Sequence, residues 1–153
     1  MDYLNNMFSL KGNIALVTGG SYGIGFAIAK ALARAGAVIA FNCRSQEHLD
    51  QAMKDYKREG IDAHGYICDV TDEIHVQQLV SEIEKTLGTI DILVNNAGIS
   101  QHVTVADMTL DDMKRIFNVN MFGLFLCTQA CMKPMVKAGY GRIVNLSSVS
   151  AKR

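Results

Sequence analysis

The stretch IALVTGGSYGIG, residues 14–25, limits what this chain can become more than any other. An apolar run of strand length, residues 14–17, enters a glycine-rich turn and leaves it into small and apolar residues, 26–35, that read as a helix. Strand, tight turn and helix in that order form the opening unit of a dinucleotide-binding fold. Each glycine answers a physical demand. Gly19 can take a backbone angle that a side chain would penalise, Gly23 lets the backbone approach a pyrophosphate, and Gly25 lets helix and strand pack closely. N–H groups at the start of the helix then face the phosphates, helped by the helix dipole. Glycine-rich turns also cap strands in α/β proteins that bind no nucleotide, so the turn alone leaves two readings.

The same rhythm repeats along the chain. Further strands are expected at 37–41, 61–68, 90–94 and 143–146, the second of these interrupted by His64 and Gly65. Helices are expected at 46–59, from a cap at Thr71 or Asp72 to Leu87, at 107–118, and at 121–137 with a kink at Pro134. The strands are near-continuous apolar runs, as in a parallel sheet covered on both faces. The fold class is therefore α/β, a doubly wound parallel sheet. A flavodoxin-like five-stranded sheet shares this rhythm and length. Polar or glycine clusters fall at the strand exits: residues 19–25, 42–45, Asp69, 95–98 and 147–148. Sheets of this kind bind ligands along that edge.

Composition narrows the function classes. A length of 153 residues supports one domain, and a net charge of zero argues against a nucleic-acid surface. Cys43, Cys68, Cys127 and Cys131 show no metal-ligand spacing, so no metal site is expected, and they read as buried thiols of a cytoplasmic protein. The first residues, MDYLNNMFSLKG, fit neither a signal peptide nor a basic transit segment. The most apolar region, 121–135, is broken by Gln129, Lys133 and Pro134 and is too short to span a bilayer, so no membrane partner is expected.

Four landmarks then fall in register: TGGSYGIG at 18–25, NNAG at 95–98, Asn120 within FNVN, and GRIVNLSS at 141–148. Together they resemble the classical short-chain dehydrogenase/reductase family, whose sheet is of the Rossmann type. More narrowly, FSLKG, SYGIGFAIA and HGYICDVTDE resemble its gluconate 5-dehydrogenase branch, although 3-oxoacyl reductases share the scaffold. The resemblance implies hydride transfer between a nicotinamide cofactor and a secondary alcohol or ketone on a small polar substrate such as a sugar acid. It implies that Gly19, Gly23 and Gly25 form the cofactor turn, with Ser21 and Tyr22 offering phosphate contacts and Ile24 packing beneath the nicotinamide half. Asp69 would meet the adenine edge with Val70 beside it, and Asn95, Ala97 and Gly98 would line the adenine-side ribose. Asn120 would hold a relay water and Ser148 the reacting oxygen of the substrate.

Each assignment has a plainer counterpart. Asp69 also suits a turn, Asn120 a bend between two helices, and Ser147 and Ser148 loop polarity, while Thr18 and Asn96 suit the scaffold. His102 is a lone loop histidine. Cofactor choice is expected at the end of the second strand, where Cys43 stands at the acid position of NAD-preferring relatives and Arg44 follows. A guanidinium fork pairs with a 2′-phosphate, which favours NADP, with NAD as the alternative.

The tyrosine–lysine pair that the resemblance implies, in YxxxK spacing beyond Ser148, is not within these residues. The expectation is an incomplete NAD(P)-binding domain over 1–153, truncated after its fifth strand, with that strand as an unprotected edge. Such a chain would be inactive alone, and its intact parent a homo-oligomer. A non-catalytic nucleotide-binding or partner-binding protein is the alternative from another class.

Overall fold

A computed structural model describes residues 7–148. The first strand, β1 (Ile14–Val17), is buried along its whole length. It feeds α1 (Gly23–Arg34), which begins three residues earlier than the sequence pattern suggests because the turn's last glycines form the first helical turn. There follow β2 (Val38–Cys43), α2 (Gln46–Arg58), β3 (Ala63–Ile67), α3 (Glu73–Thr86) and β4 (Ile92–Asn95). The chain closes with α4 (Leu110–Phe117), a π-helical segment at Asn118–Gly123, α5 (Leu124–Ala138) and β5 (Arg142–Asn145).

All five strands are parallel, in the order β3-β2-β1-β4-β5. The order reverses at β1, whose Leu16 pairs with Ala40 of β2 on one side and Leu93 of β4 on the other. The fold is thus the doubly wound Rossmann sheet. Alternate strand residues supply two separate cores. Leu16, Ala40 and Leu93 pack with Val76, Leu79 and Ile83 of α3 and Cys127, Cys131 and Met135 of α5. On the opposite face Val17, Ile39, Phe41 and Val94 pack with Ala29 of α1 and with Ala52 and Tyr56 of α2.

Local chemistry explains the boundaries. Ser45 caps α2 by accepting from His48 N, and Asp72 caps α3 by accepting from the N–H groups of Ile74 and His75. Helix α4 begins at Leu110 rather than 107, because Thr109 and Asp112 close a reciprocal capping box there. No break separates 118 from 121. The π segment carries α4 directly into α5, which runs past Pro134 until Gly139 turns left-handed at φ 71°. Gly65, an interruption by sequence pattern, pairs with Phe41 inside the sheet. A Cβ there would strike Leu49 Cδ1 and the Phe41 ring, so packing demands the glycine.

Two side chains fix the sheet's ends. Asp91 Oδ2 accepts from Ile14 N at 2.8 Å, tying the start of β1 to β4. Asn95, at the far end of β4, is buried and donates from Nδ2 to Thr128 Oγ1 and Asn145 Oδ1, tying β4 to α5 and β5. By contrast β5 is exposed throughout, as are Phe117, Met121, Phe122 and Phe125 on the helix. Among the described residues no helix is long and apolar enough to cross a membrane, and no cluster of potential metal ligands occurs.

All four cysteines are buried free thiols. Burial, reinforced by the charges of Asp69 and Asp72, pushes Cys68 from 9.0 up to about 12. Burial likewise takes Cys127 to about 12 and raises Cys131. At Cys43 burial raises the thiol and a bond to the Ser45 carbonyl partly opposes it.

Two outcomes are expected. Replacing Asp91 by Ala leaves the Ile14 N–H without its acceptor, lowering the urea midpoint by an amount equivalent to about 1–3 kcal/mol at unchanged m-value. The thiols should resist a thiol reagent at pH 8 in the native chain and react promptly in urea. Because their native pKa values lie above the unfolded ones, their contribution to stability is complete below the unfolded value and is lost as pH climbs from 9.0 towards about 12.

Candidate nucleotide-binding site

A groove of about 430 Å³ opens at the carboxyl ends of β1, β2, β3 and β4, where the strand order reverses. Its floor is the turn after β1. Gly19 and Gly23 have φ of 65° and 59°, a region that side chains avoid. At Gly19 a Cβ would lie 3.1 Å from Ala97 Cα, and at Gly25 it would strike Asn96 Nδ2 and the Gly19 carbonyl. The glycines therefore allow both the turn and its close approach to the loop after β4. Among the described residues the N–H groups of Gly20, Ser21 and Tyr22 make no hydrogen bond. An unpaired run of donors at the mouth of a helix fits an anion, and so fits the diphosphate of a dinucleotide.

Eleven of the twelve cofactor residues expected from sequence line this groove: Gly19, Ser21, Tyr22, Gly23, Ile24 and Gly25 from the turn, Arg44 after β2, Asp69 and Val70 after β3, and Ala97 and Gly98 after β4. Asn95 does not. Its Nδ2 donates to Thr128 and Asn145 inside the sheet, its buried Oδ1 has no hydrogen-bond partner among the described residues, and its neighbour Asn96 faces the groove instead.

The groove's charges are sparse. Arg44 is exposed and makes no hydrogen bond or ion pair among the described residues, which leaves its guanidinium available to an incoming anion. Asp69 Oδ1 accepts from both N and Oγ1 of Thr71, so the residue closes a local turn while lining the groove. Tyr22 stands largely exposed at the rim, its ring 5.7 Å from that of His48, near the capped start of α2.

Asn120 and Ser148 lie outside the groove lining. Asn120, in the π segment, accepts from Ile99 N with Oδ1 and donates to Ile99 O with Nδ2, both at 2.9 Å. That two-point grip fixes the loop after β4, with Val119 on the groove wall beside it. Ser148 is exposed just beyond β5.

Thr18 and Asn96, read from the sequence as scaffold, support the turn together with Asn42 and Tyr56, which were not among the expected site residues. Asn42 accepts from Gly19 N at 3.2 Å and donates to Cys68 O at 2.9 Å. Asn96 Nδ2 donates to the carbonyls of Thr18 and Gly19, and Thr18 Oγ1 accepts from the N–H groups of Asn96 and Ala97. Tyr56, fully buried on α2, donates to Gly20 O at 2.7 Å. Polar residues at strand exits were the available signal for Asn42 and Asn96. No sequence signal distinguished Tyr56 from an ordinary core residue.

The comparisons with known proteins agree with this geometry. Residues 13–153 match the family model for short chain dehydrogenase. The chain is 40% identical over 148 residues to 2-dehydro-3-deoxy-D-gluconate 5-dehydrogenase of Formosa agariphila, covering 96% of this chain and 56% of that protein. It is 41% identical to gluconate 5-dehydrogenase of Gluconobacter oxydans, covering 96% of this chain and 57% of that one. The crystal structure of a gluconate 5-dehydrogenase from Burkholderia cenocepacia, in complex with NADP and tartrate, superposes with a TM-score of 0.90 at 36% identity, over 98% of this chain and 59% of that one. The chain thus spans little more than half the length of the relatives it matches. With a glycine turn, a switch-point groove and a family match over nearly its whole length, the chain belongs to the short-chain dehydrogenase family.

Proposed function

We propose that these residues form the nucleotide-binding part of an NADP(H)-preferring oxidoreductase acting on a secondary hydroxyl or ketone of a sugar acid or similar small polar molecule. The observation that carries the reading is the union, in one groove, of unpaired backbone donors at Ser21 and Tyr22 with an uncommitted Arg44. The turn and the start of α1 hold the diphosphate, and Arg44 pairs with the 2′-phosphate. Ile24, exposed at the groove, gives the nicotinamide half an apolar bed. The nicotinamide ring supplies the hydride acceptor or donor when bound.

Asn120 steadies the loop after β4 and holds a water in the proton path, while Ser148 hydrogen-bonds the reacting oxygen. Support for a sugar-acid substrate comes from the relatives at about 40% identity, which are named for gluconate and 2-dehydro-3-deoxy-gluconate. In YxxxK spacing, none of the five tyrosines has a lysine partner: the fourth residues on are Met7, Phe26, Gly60, Val70 and Val144. A tyrosine needs a nearby positive charge to act as a base at neutral pH. We therefore place the proton-transfer pair outside residues 1–153 and expect no turnover from them alone. Assembly into a homo-oligomer belongs to the same proposal.

Titration monitored by nucleotide fluorescence tests the cofactor reading. NADPH should bind more tightly than NADH, and Arg44→Glu should weaken NADPH roughly ten- to a hundredfold while leaving NADH within about twofold. Equal affinities in the unaltered chain would remove the preference for NADP, and absence of binding would remove the nucleotide site.

A further inference from the structure

Tyr56 occupies an unusual place for a tyrosine. Its ring is completely buried between Phe26 and Phe41, with centroid separations of 4.6 and 4.8 Å. Burial raises its hydroxyl well above the ordinary phenol range, which favours the protonated, donating form. That hydroxyl meets Gly20 O at 2.7 Å from the core side of the turn. Phenylalanine would fill the same space, so packing alone does not call for the oxygen.

The geometry of the peptide unit supplies a reason. No cis peptide occurs among the described residues, and across a planar trans peptide the carbonyl and the next N–H point in opposite directions. Drawing the Gly20 carbonyl inward turns the Ser21 N–H outward, and Ser21 lines the groove without a partner for that N–H among the described residues. Gly20 needs such a restraint. It lacks a side chain, and its turn joins Gly19 and Gly23, both at left-handed angles, so its peptide plane can rotate more freely than most. Nor can a bulkier residue replace it, since a Cβ at Gly20 would lie 2.7 Å from Phe41 Cβ.

We propose that Tyr56 is a positioning residue for nucleotide binding: its hydroxyl pins the Gly20–Ser21 peptide so that the Ser21 N–H is presented to the diphosphate. The inference rests on the nucleotide-binding reading of the groove. It assigns α2 two tasks at once, since the segment that carries Tyr56 also carries the cap beside Arg44. A residue with no ligand contact thereby sets affinity for one part of the ligand only.

Calorimetric titration of the whole chain and of Tyr56→Phe tests this, using NADP⁺ and adenosine 2′-monophosphate, which lacks the diphosphate. Tyr56→Phe should bind NADP⁺ roughly three- to tenfold more weakly, while adenosine 2′-monophosphate stays within about twofold. An unchanged NADP⁺ affinity, or the same loss for both ligands, overturns the inference, because a merely structural role would not separate them. Should the variant fail to fold, the unaltered chain labelled at tyrosine Cζ decides the matter. Inorganic pyrophosphate should shift the Tyr56 signal and adenosine 2′-monophosphate should not; an unmoved signal at saturating pyrophosphate overturns it. No nucleotide binding by the unaltered chain overturns the groove reading as well, whereas binding without ligand selectivity in Tyr56→Phe overturns this proposal alone.

Discussion

Three consecutive carbonyls after β1 are held by side chains: those of Thr18 and Gly19 by Asn96, and that of Gly20 by Tyr56. Everything at the groove depends on that restraint. A glycine-rich loop gains conformational freedom at each glycine, and an anion site made of backbone donors is useful only if that freedom is removed beforehand. The sheet does the removing. Asn42 reaches the turn from β2, Asn96 from the end of β4, and Tyr56 from the helix that follows β2, so three neighbouring elements converge on a few peptides. The switch in strand order at β1 is what brings them there, since only a central strand has neighbours on both sides.

This arrangement explains why the sequence disclosed the fold more fully than the site. Strand and helix periodicity, and the caps at Ser45 and Asp72, depend on local chemistry that can be read residue by residue. The glycine spacing at 19, 23 and 25 is likewise local, and it placed the groove. Asn95 and Asn96 show where such reading stops. Both are asparagines at a strand exit, yet the pleat sends one into the sheet towards Asn145 and turns the other to the groove. A motif cannot tell adjacent identical residues apart. Nothing local marked Tyr56 within the helix expected at 46–59, because its hydroxyl meets a glycine 36 residues away in the chain.

The helix that follows the groove teaches the same lesson in another form. Two helices separated near 118–121 were the natural expectation, since asparagine and glycine interrupt the apolar pattern. The chain instead widens into a π segment, which preserves backbone hydrogen bonding while Asn120 turns both amide atoms to Ile99. Gly123, at its end, lies against Val70, where a Cβ would come within 2.8 Å of Val70 Cγ2. Residues far apart in sequence thus explain a local irregularity that propensity does not.

That widened turn also sets a phase. An α-helix advances about 100° per residue, so the winding between Asn118 and Gly123 decides which side of α5 meets the sheet. Cys127, Cys131 and Met135 stand four apart and form the buried stripe. Loss of a single residue within the segment would rotate that stripe away from the sheet by roughly a quarter of a circle and bring Thr128, Met132 and Val136 into its place. The segment therefore acts as a fixed-length spacer, tolerant of changes in residue type at its outer positions but not of changes in count.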